Sequence, residues 1–260
     1  MTSSKHKADS LRRHLVFLMA KAARDYGMID QGDRVMVCHS GGKDSFALLD
    51  ILLAFRRQSP VKFDVIAVGV DQNFPGFPRQ VLPDYFTTLG IEFHIIEQDI
   101  YGTIKAKIPP GKTMCGLCSR LRRGALYRFA EEHHMQKIAL GHHRDDIVET
   151  LFLNLFYGGK MKAMPPKLLT DSKKNVVIRP MAYMAEEDLS RYARLMEFPV
   201  IPGNLCGASE STQRQVVKAM LKTWKKEFPG RIEKIFNSLQ NIEPSQLADM
   251  NLFDFKHLSV

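Results

Sequence analysis

A Gly-rich hexapeptide, Ser40-Gly41-Gly42-Lys43-Asp44-Ser45, stands between a short apolar run, Val35-Met36-Val37, and an apolar-periodic segment carrying Leu48, Leu49, Ile51 and Leu52. That order predicts a strand over 34–39, a tight turn, and a helix over 43–57. A helix N-terminus opening there gathers several backbone N–H groups at one point, which attracts anions and phosphate above all. The two glycines let the main chain approach a ligand with no Cβ in the way. Ser40 and Ser45 add hydroxyl donors, and Lys43 adds a point charge. Asp44 would repel a bare phosphate; it makes sense where Mg²⁺ bridges it to the phosphates. The spacing differs from the GxxxxGK[ST] pattern of the Walker A loop.

The 260 residues suffice for one α/β domain with an appendage. No apolar run approaches the roughly 20 residues that span a bilayer, and the polar, basic start from Met1 to Arg13 lacks the apolar core of a signal peptide. The expected setting is cytoplasmic, with no membrane among the partners. With 37 basic against 28 acidic residues the net charge is +9, which favours a polyanionic partner, nucleic acid first.

Alternation of apolar runs and helical periodicity continues along the chain. Residues 9–26 read as an amphipathic helix with Leu11, Leu15, Leu18, Met19 and Ala22 on one face. Further strands are expected at 63–70, 91–96, 137–140 and 176–178, and helices at 79–89, 116–134, 145–157, 186–196 and 209–227. Residues 97–112 and 158–175 read as loops, and 241–260 as a partly irregular tail. Such alternation implies an α/β fold with a doubly wound parallel sheet and helical additions. In these sheets ligands bind at the carboxyl ends of the strands. The Ser40 loop, Asp71 and Gly141 all fall at expected strand ends, so they should converge on one crevice.

Two more constellations carry chemistry. Gly141-His142-His143-Arg144-Asp145-Asp146 opens a helix at a strand end. Its paired carboxylates suit either a Mg²⁺ site or a helix cap, and His142 suits either a structural role or a nucleotide contact. Cys115-Gly116-Leu117-Cys118 suits zinc, a redox dithiol or an Fe–S cluster. Cys206 is the remaining thiolate to join the pair, and His133, His134 or His142 would be the fourth ligand of a closed zinc site. Cys38, in an apolar strand, reads as core. Arg120, Arg122 and Arg123 follow the CxxC pair and would grip phosphates. Arg214, Lys218, Lys222 and Lys225 step along one helix face as a candidate RNA-backbone stripe, and Lys160, Lys162, Lys167, Lys173 and Lys174 form a basic loop region.

The hexapeptide resembles the SGGxDS loop of the PP-loop ATP pyrophosphatases, whose fold is that of the adenine nucleotide alpha hydrolases. With Asp71-Gln72, PGFP, CGLCSRLRRG, GHHRDD, LFYGGKMKAMPPKL, IRPMAY, NLCG and NLFDF, the chain resembles the tRNA-cytidine(32) 2-sulfurtransferases (the TtcA family) over nearly its whole length. The resemblance implies ATP-dependent conversion of cytidine 32 of tRNA to 2-thiocytidine, with AMP and pyrophosphate released. Ser40, Gly41, Gly42, Lys43, Asp44 and Ser45 would bind ATP with Mg²⁺, joined by Asp71, Gly141, His142, Asp145 and Asp146. Cys115, Cys118 and Cys206 would ligate a [4Fe–4S] cluster whose fourth iron is open to sulfur, and together with Asp44 would carry the catalysis. A cysteine desulfurase would supply the sulfur; a homodimer is left open. The implied organisation is a helical extension over 1–30, a PP-loop domain with a cysteine-containing insertion over 31–205, and a basic helical region over 206–260. Here Gly203 stands where some relatives begin a second CxxC, and His39 precedes the loop where a smaller or aliphatic residue is usual. The rival readings are thiolation through a cysteine persulfide, another PP-loop ligase acting on tRNA, and a non-catalytic RNA-binding zinc protein.

Overall fold

The computed structural model describes residues 2–109, 112, 114–202 and 212–258. Cys206 lies outside the described residues. The elements in order are α1 (Thr2–Asp25), β1 (Arg34–His39), α2 (Lys43–Gln58), β2 (Asp64–Asp71), α3 (Val81–Leu89), β3 (Phe93–Glu97), α4 (Ile100–Lys107), α5 (Cys115–Glu132), β4 (Lys137–Ala139), α6 (Arg144–Gly158), β5 (Lys167–Leu169), β6 (Val176–Ile178), α7 (Glu186–Leu195), α8 (Thr212–Glu227) and α9 (Arg231–Ser238).

The strands form one sheet in the order β3-β2-β1-β4-β6-β5. β1 pairs in parallel with β2 on one side and β4 on the other. β3 and β6 extend the parallel sheet outward, and β5 closes one edge antiparallel to β6. Because the chain runs from β1 to one side and later returns to the other, β1 sits at a topological switch point, where open α/β sheets place their ligands.

The pleat sends alternate residues of β1 and β2 into two separate cores. Val35, Val37, Val65 and Ala67 join α1, α2, α3 and α7 on one face. Met36, Ile66, Val68 and Val70 join α4 and α5 on the other. This is the doubly wound arrangement the alternation implied. Continuous burial of Phe46 to Leu53 follows from the position of α2 between the sheet and the α1–α7 pair. Asp50 is buried within that stretch and is satisfied by Arg12 of α1 at 2.8 Å and by the Tyr192 hydroxyl of α7. A third cluster joins α6, α8 and α9 through Val148, Val217, Leu221, Ile232 and Phe236.

Three elements depart from the sequence reading. α4 occupies part of the expected 97–112 loop; Asp99 starts it by accepting the Gly102 N–H at 2.9 Å. β5 falls in the expected loop 158–175, a three-residue edge strand too short to show period-two alternation. α9 was not anticipated; Ile232 and Phe236 are its buried residues. Among the described residues no helix is long and apolar enough to cross a membrane.

Candidate active site

Three strand ends build the site. β1 ends at His39 and runs into the Ser40 loop, β4 leads to Gly141, and β2 ends at Asp71 beside Gln72. β1 lies between the other two in the sheet. The first two loops abut through bare main chain: a Cβ on Gly141 would stand 3.4 Å from the carbonyl of Asp44 and from the N of Ser45. The expected convergence of these motifs is therefore present.

The Ser40 loop is held from three sides. Gly41 sits at φ +80°, and its carbonyl accepts the Ile201 N–H at 2.9 Å. A Cβ there would come within 2.8 Å of Ile201 Cδ1. The Gly41 N–H donates to His39 Nδ1 at 3.2 Å. Ser40 Oγ accepts the Gly42 N–H at 3.3 Å, and Ser45 Oγ donates to the Gly42 carbonyl at 2.7 Å. Gly42 caps α2 without a side-chain acceptor, so the first-turn N–H groups of Lys43 and Asp44 stay available to an anion. Lys43 Nζ lies 2.8 Å from Asp44 Oδ1 and 3.3 Å from Glu186 Oε1. Burial works against its charge, but Asp44 and Glu186 outweigh that and hold its pKa above the ordinary value.

His39 is 3% exposed and packs edge-on against Phe46 and Phe86. Burial lowers its pKa to about 3, so the ring is neutral and Nδ1 acts as an acceptor.

The 141–146 segment divides its roles sharply. His143 and Asp146 close a capping box on α6. Asp145 Oδ2 accepts the backbone N–H of Glu186 at 2.9 Å and so caps the neighbouring helix α7. Both carboxylates thus serve helix ends, the second of the two roles the sequence allowed. His142 is neutral because burial lowers its pKa to about 4, and its Nδ1 is buried without a partner. Asp71 is tied on one oxygen by the Asn73 N–H at 2.9 Å and on the other by Arg79 at 2.7 Å, so it shapes the loop that follows β2.

Cys115 and Cys118 occupy the first turn of α5. Cys115 is exposed; Cys118 is half-buried, with its thiol donating to Gln72 Oε1 at 3.2 Å beyond the end of β2. The pair therefore reaches the same end of the sheet as the Ser40 loop. Arg120 and Arg123 stand exposed one to two turns on. Among the described residues no three His, Cys, Asp or Glu side chains gather as a metal site; the third expected thiolate, Cys206, lies outside them. Two zinc completions fail: His133 stacks on Phe129 at 4.0 Å, about 27 Å along α5 from Cys115, and His134 follows it.

The basic stripe of α8 is not a free face. Arg214 lies 3.4 Å from Glu149 and 3.8 Å from Asp146, and Lys225 lies 2.9 Å from Glu187. Lys218 and Lys222 line a cavity of about 390 Å³ opposite Asp145, Glu149 and Glu186. Burial raises the pKa of Glu149 against the pull of Lys218 and Arg214. A larger cavity, about 540 Å³, opens at the amino-terminal ends of β1, β2 and β3, around Gly32, Asp64 and Ile91, away from all three motifs.

Two site residues lay outside every sequence motif. Glu186 reaches Lys43 across 143 positions, and Ile201 clamps Gly41 from beyond α7. Only the acidic run Glu186-Glu187-Asp188 hinted at a special helix start.

Residues 13–201 match the PP-loop domain family. A protein of Methylococcus capsulatus named tRNA-cytidine(32) 2-sulfurtransferase is 62% identical over 254 residues, covering 98% of this chain and 88% of its own. One of the same name from Saccharophagus degradans is 59% identical, covering 99% and 83%. Among solved structures, the U34-tRNA thiolase NcsA from Methanococcus maripaludis with its [4Fe–4S] cluster superposes with a TM-score of 0.71, over 91% of this chain and 81% of that one. At 22% identity that likeness concerns the fold.

Proposed function

The chain belongs to the tRNA-cytidine(32) 2-sulfurtransferases of the PP-loop family, and we propose how its residues share that work. The activity is ATP-dependent thiolation of tRNA. The observation that carries the residue assignment is the meeting of the Ser40 loop, the Gly141 segment and the Cys115–Cys118 helix start at neighbouring strand ends.

ATP fits the Ser40 loop on three counts. The Gly41–Gly42 turn is held in shape by the Ile201 N–H and by Ser40 Oγ, the first turn of α2 has no side-chain cap, and Lys43 is a held cation. The unpartnered His142 Nδ1 offers an acceptor to the nucleotide. Lys43 and the N–H groups of Lys43 and Asp44 would take the charge that develops on the phosphates. Asp44 would hold Mg²⁺ against them, with Asp145 and Asp146 orienting the far wall through α6 and α7. The cytidine O2 then attacks the α-phosphorus and pyrophosphate leaves. AMP leaves in turn when sulfur replaces it at C2. The target base must be unstacked to present O2, as single-stranded loops allow.

Two of the three thiolates proposed for a [4Fe–4S] cluster, Cys115 and Cys118, start one helix and fit a common ligand. When bound, the cluster would present sulfur through an iron left without a protein thiolate. Cys206 is proposed as the third ligand. A cysteine desulfurase as sulfur source, a cytoplasmic setting and a homodimer complete the reading. The division at residues 30 and 205 remains a proposal as well.

The test supplies ATP, Mg²⁺, a sulfur source and an unmodified tRNA transcript bearing cytidine 32. Wild-type chain should form 2-thiocytidine with one AMP and one pyrophosphate per sulfur, and Asp44→Ala should form neither. Undiminished pyrophosphate release by that variant would remove the Ser40 loop from the ATP site.

A further inference from the structure

The last turn of α6 runs into an unbroken exposed stretch, Phe156-Tyr157-Gly158-Gly159-Lys160-Met161-Lys162. Phe156 is 53% exposed, Tyr157 47% and Met161 69%. Two adjacent aromatic rings and a methionine left in water together mark a contact surface. The loop has a defined shape: Asn154 Nδ2 donates to the Lys162 carbonyl at 2.7 Å, and the Asn154 carbonyl accepts the Lys160 N–H at 3.1 Å. Gly159, at φ +59°, makes the turn.

The rings continue onto α8. Phe156 lies 5.4 Å from Phe152, which meets Trp224 edge-on at 5.5 Å. The Arg231 guanidinium lies 5.7 Å from the Trp224 ring and 3.5 Å from that of exposed Phe228. No acidic residue stands between Thr150 and Thr170, and neither Lys160 nor Lys162 meets a carboxylate among the described residues. The surface is thus aromatic and cationic together, unlike the α8 stripe, whose charges face acids.

We infer that this surface is a stacking platform for unpaired bases of RNA. Ring faces accept bases of any identity, and lysines beside them accept the connecting phosphates. The competing occupant, a second copy laid face to face, would set Lys160 and Lys162 against their own equivalents. α6 ties the platform to the chemistry: its N-terminus carries the Asp145 and Asp146 end of the site, and its 15 residues put the platform about 22 Å away. The platform therefore holds nucleotides other than the reacting one. The inference rests on the tRNA reading above, and it names the part of that RNA which is gripped.

Two probes test it: an unmodified tRNA transcript with cytidine 32, and a blunt RNA duplex of equal length. The double variant Phe156→Ala with Tyr157→Ala should lose roughly 5- to 100-fold in affinity for the transcript per stacked base, and little for the duplex. Lys160→Ala with Lys162→Ala should lower the salt slope for the transcript by about 0.7 per lost contact. Phe156→Leu keeps an apolar neighbour for Phe152 and should still lose affinity; full affinity in that variant assigns Phe156 to packing alone and overturns its stacking role. Equal affinity of the aromatic double variant and wild type for the transcript overturns the platform. So does a variant that binds RNA normally but sediments as a smaller species, which assigns the surface to a second copy. Thiolation by the wild-type chain is read in the same samples and reports on the activity alone, so it can stand while the platform falls.

Discussion

His39 Nδ1 accepts the backbone N–H of Gly41 at 3.2 Å, from a ring that is almost sealed from water. The residue before the Ser40 loop thus fixes the loop's first turn. His39→Phe keeps the ring volume among Phe46, Tyr85 and Phe86 but leaves the Gly41 N–H buried and unpaired. The expected cost is about 1–3 kcal/mol in urea unfolding, with KM for ATP rising several-fold and kcat nearly unchanged. An unaltered KM would assign His39 to packing alone.

The same ring sets a pH dependence. Its folded-state pKa is lowered to about 3 from an ordinary 6.5. Above pH 6.5 both folded and unfolded chains hold it neutral. Below that the unfolded chain takes up a proton and the folded one does not, so stability falls as pH falls. Between pH 7 and 5 the loss from His39 is roughly 2 kcal/mol. His39→Phe lacks this component, so its stability deficit against wild type should shrink at pH 5. Unfolding curves of both proteins at the two pH values check the sign.

Gly41→Ala combines a left-handed backbone with a 2.8 Å encounter at Ile201. It should cost about 1–3 kcal/mol from the backbone alone and weaken ATP binding more than tenfold. Adding Ile201→Gly, which removes the Cβ at 3.0 Å together with Cγ1 and Cδ1, relieves the encounter but not the φ, so affinity should return only in part. Complete return would mean that the backbone strain contributes nothing.

In the proposed ATP site, Glu186 would compete with phosphate for Lys43. Its carboxylate is 42% exposed at 3.3 Å from Nζ, a geometry in which an ion pair is worth under about 1 kcal/mol. Glu186→Gln should therefore tighten ATP by no more than about fivefold, as read by titration calorimetry. Weaker binding would show that Glu186 positions Lys43 instead of withholding it.

Cysteine variants separate the metal from the core. Cys115→Ala and Cys118→Ala should each lose the iron and sulfide of anaerobically purified protein together with thiolation. Cys38→Ala should keep both, since desolvation pushes the Cys38 thiol up to about 12 and holds it protonated against the α4–α5 core. Active protein carrying zinc and no iron would move the sulfur to a persulfide on Cys115 or Cys206.

Much of this architecture is legible in the chain because each motif sits where an apolar run stops. Val35 to Val37 and Val65 to Val70 are buried whichever face they point to, so their ends announce loops, and loops at strand ends make the crevice. What a helix faces is another matter. The arginine and lysines of α8 share one side by arithmetic, but nothing local says that Glu149 and Glu187 wait opposite. Asp145 reads equally as metal ligand or cap until α7 is seen arriving at its carboxylate. α4 was missed because its periodicity amounts to a single buried pair, Ile100 and Ile104, in only eight residues.

Gly141 and the Asp44 backbone touch with no side chain between them. Two kinds of damage follow from that seam. Trimming a side chain with a proposed chemical role, such as Asp44, takes chemistry away and leaves the frame standing. Adding one methyl at Gly41 takes no such group away, yet it meets Ile201 at 2.8 Å and wedges the frame apart. A scan that only shortens side chains would chart the first kind and pass over the second, so the frame of this enzyme is best mapped by addition.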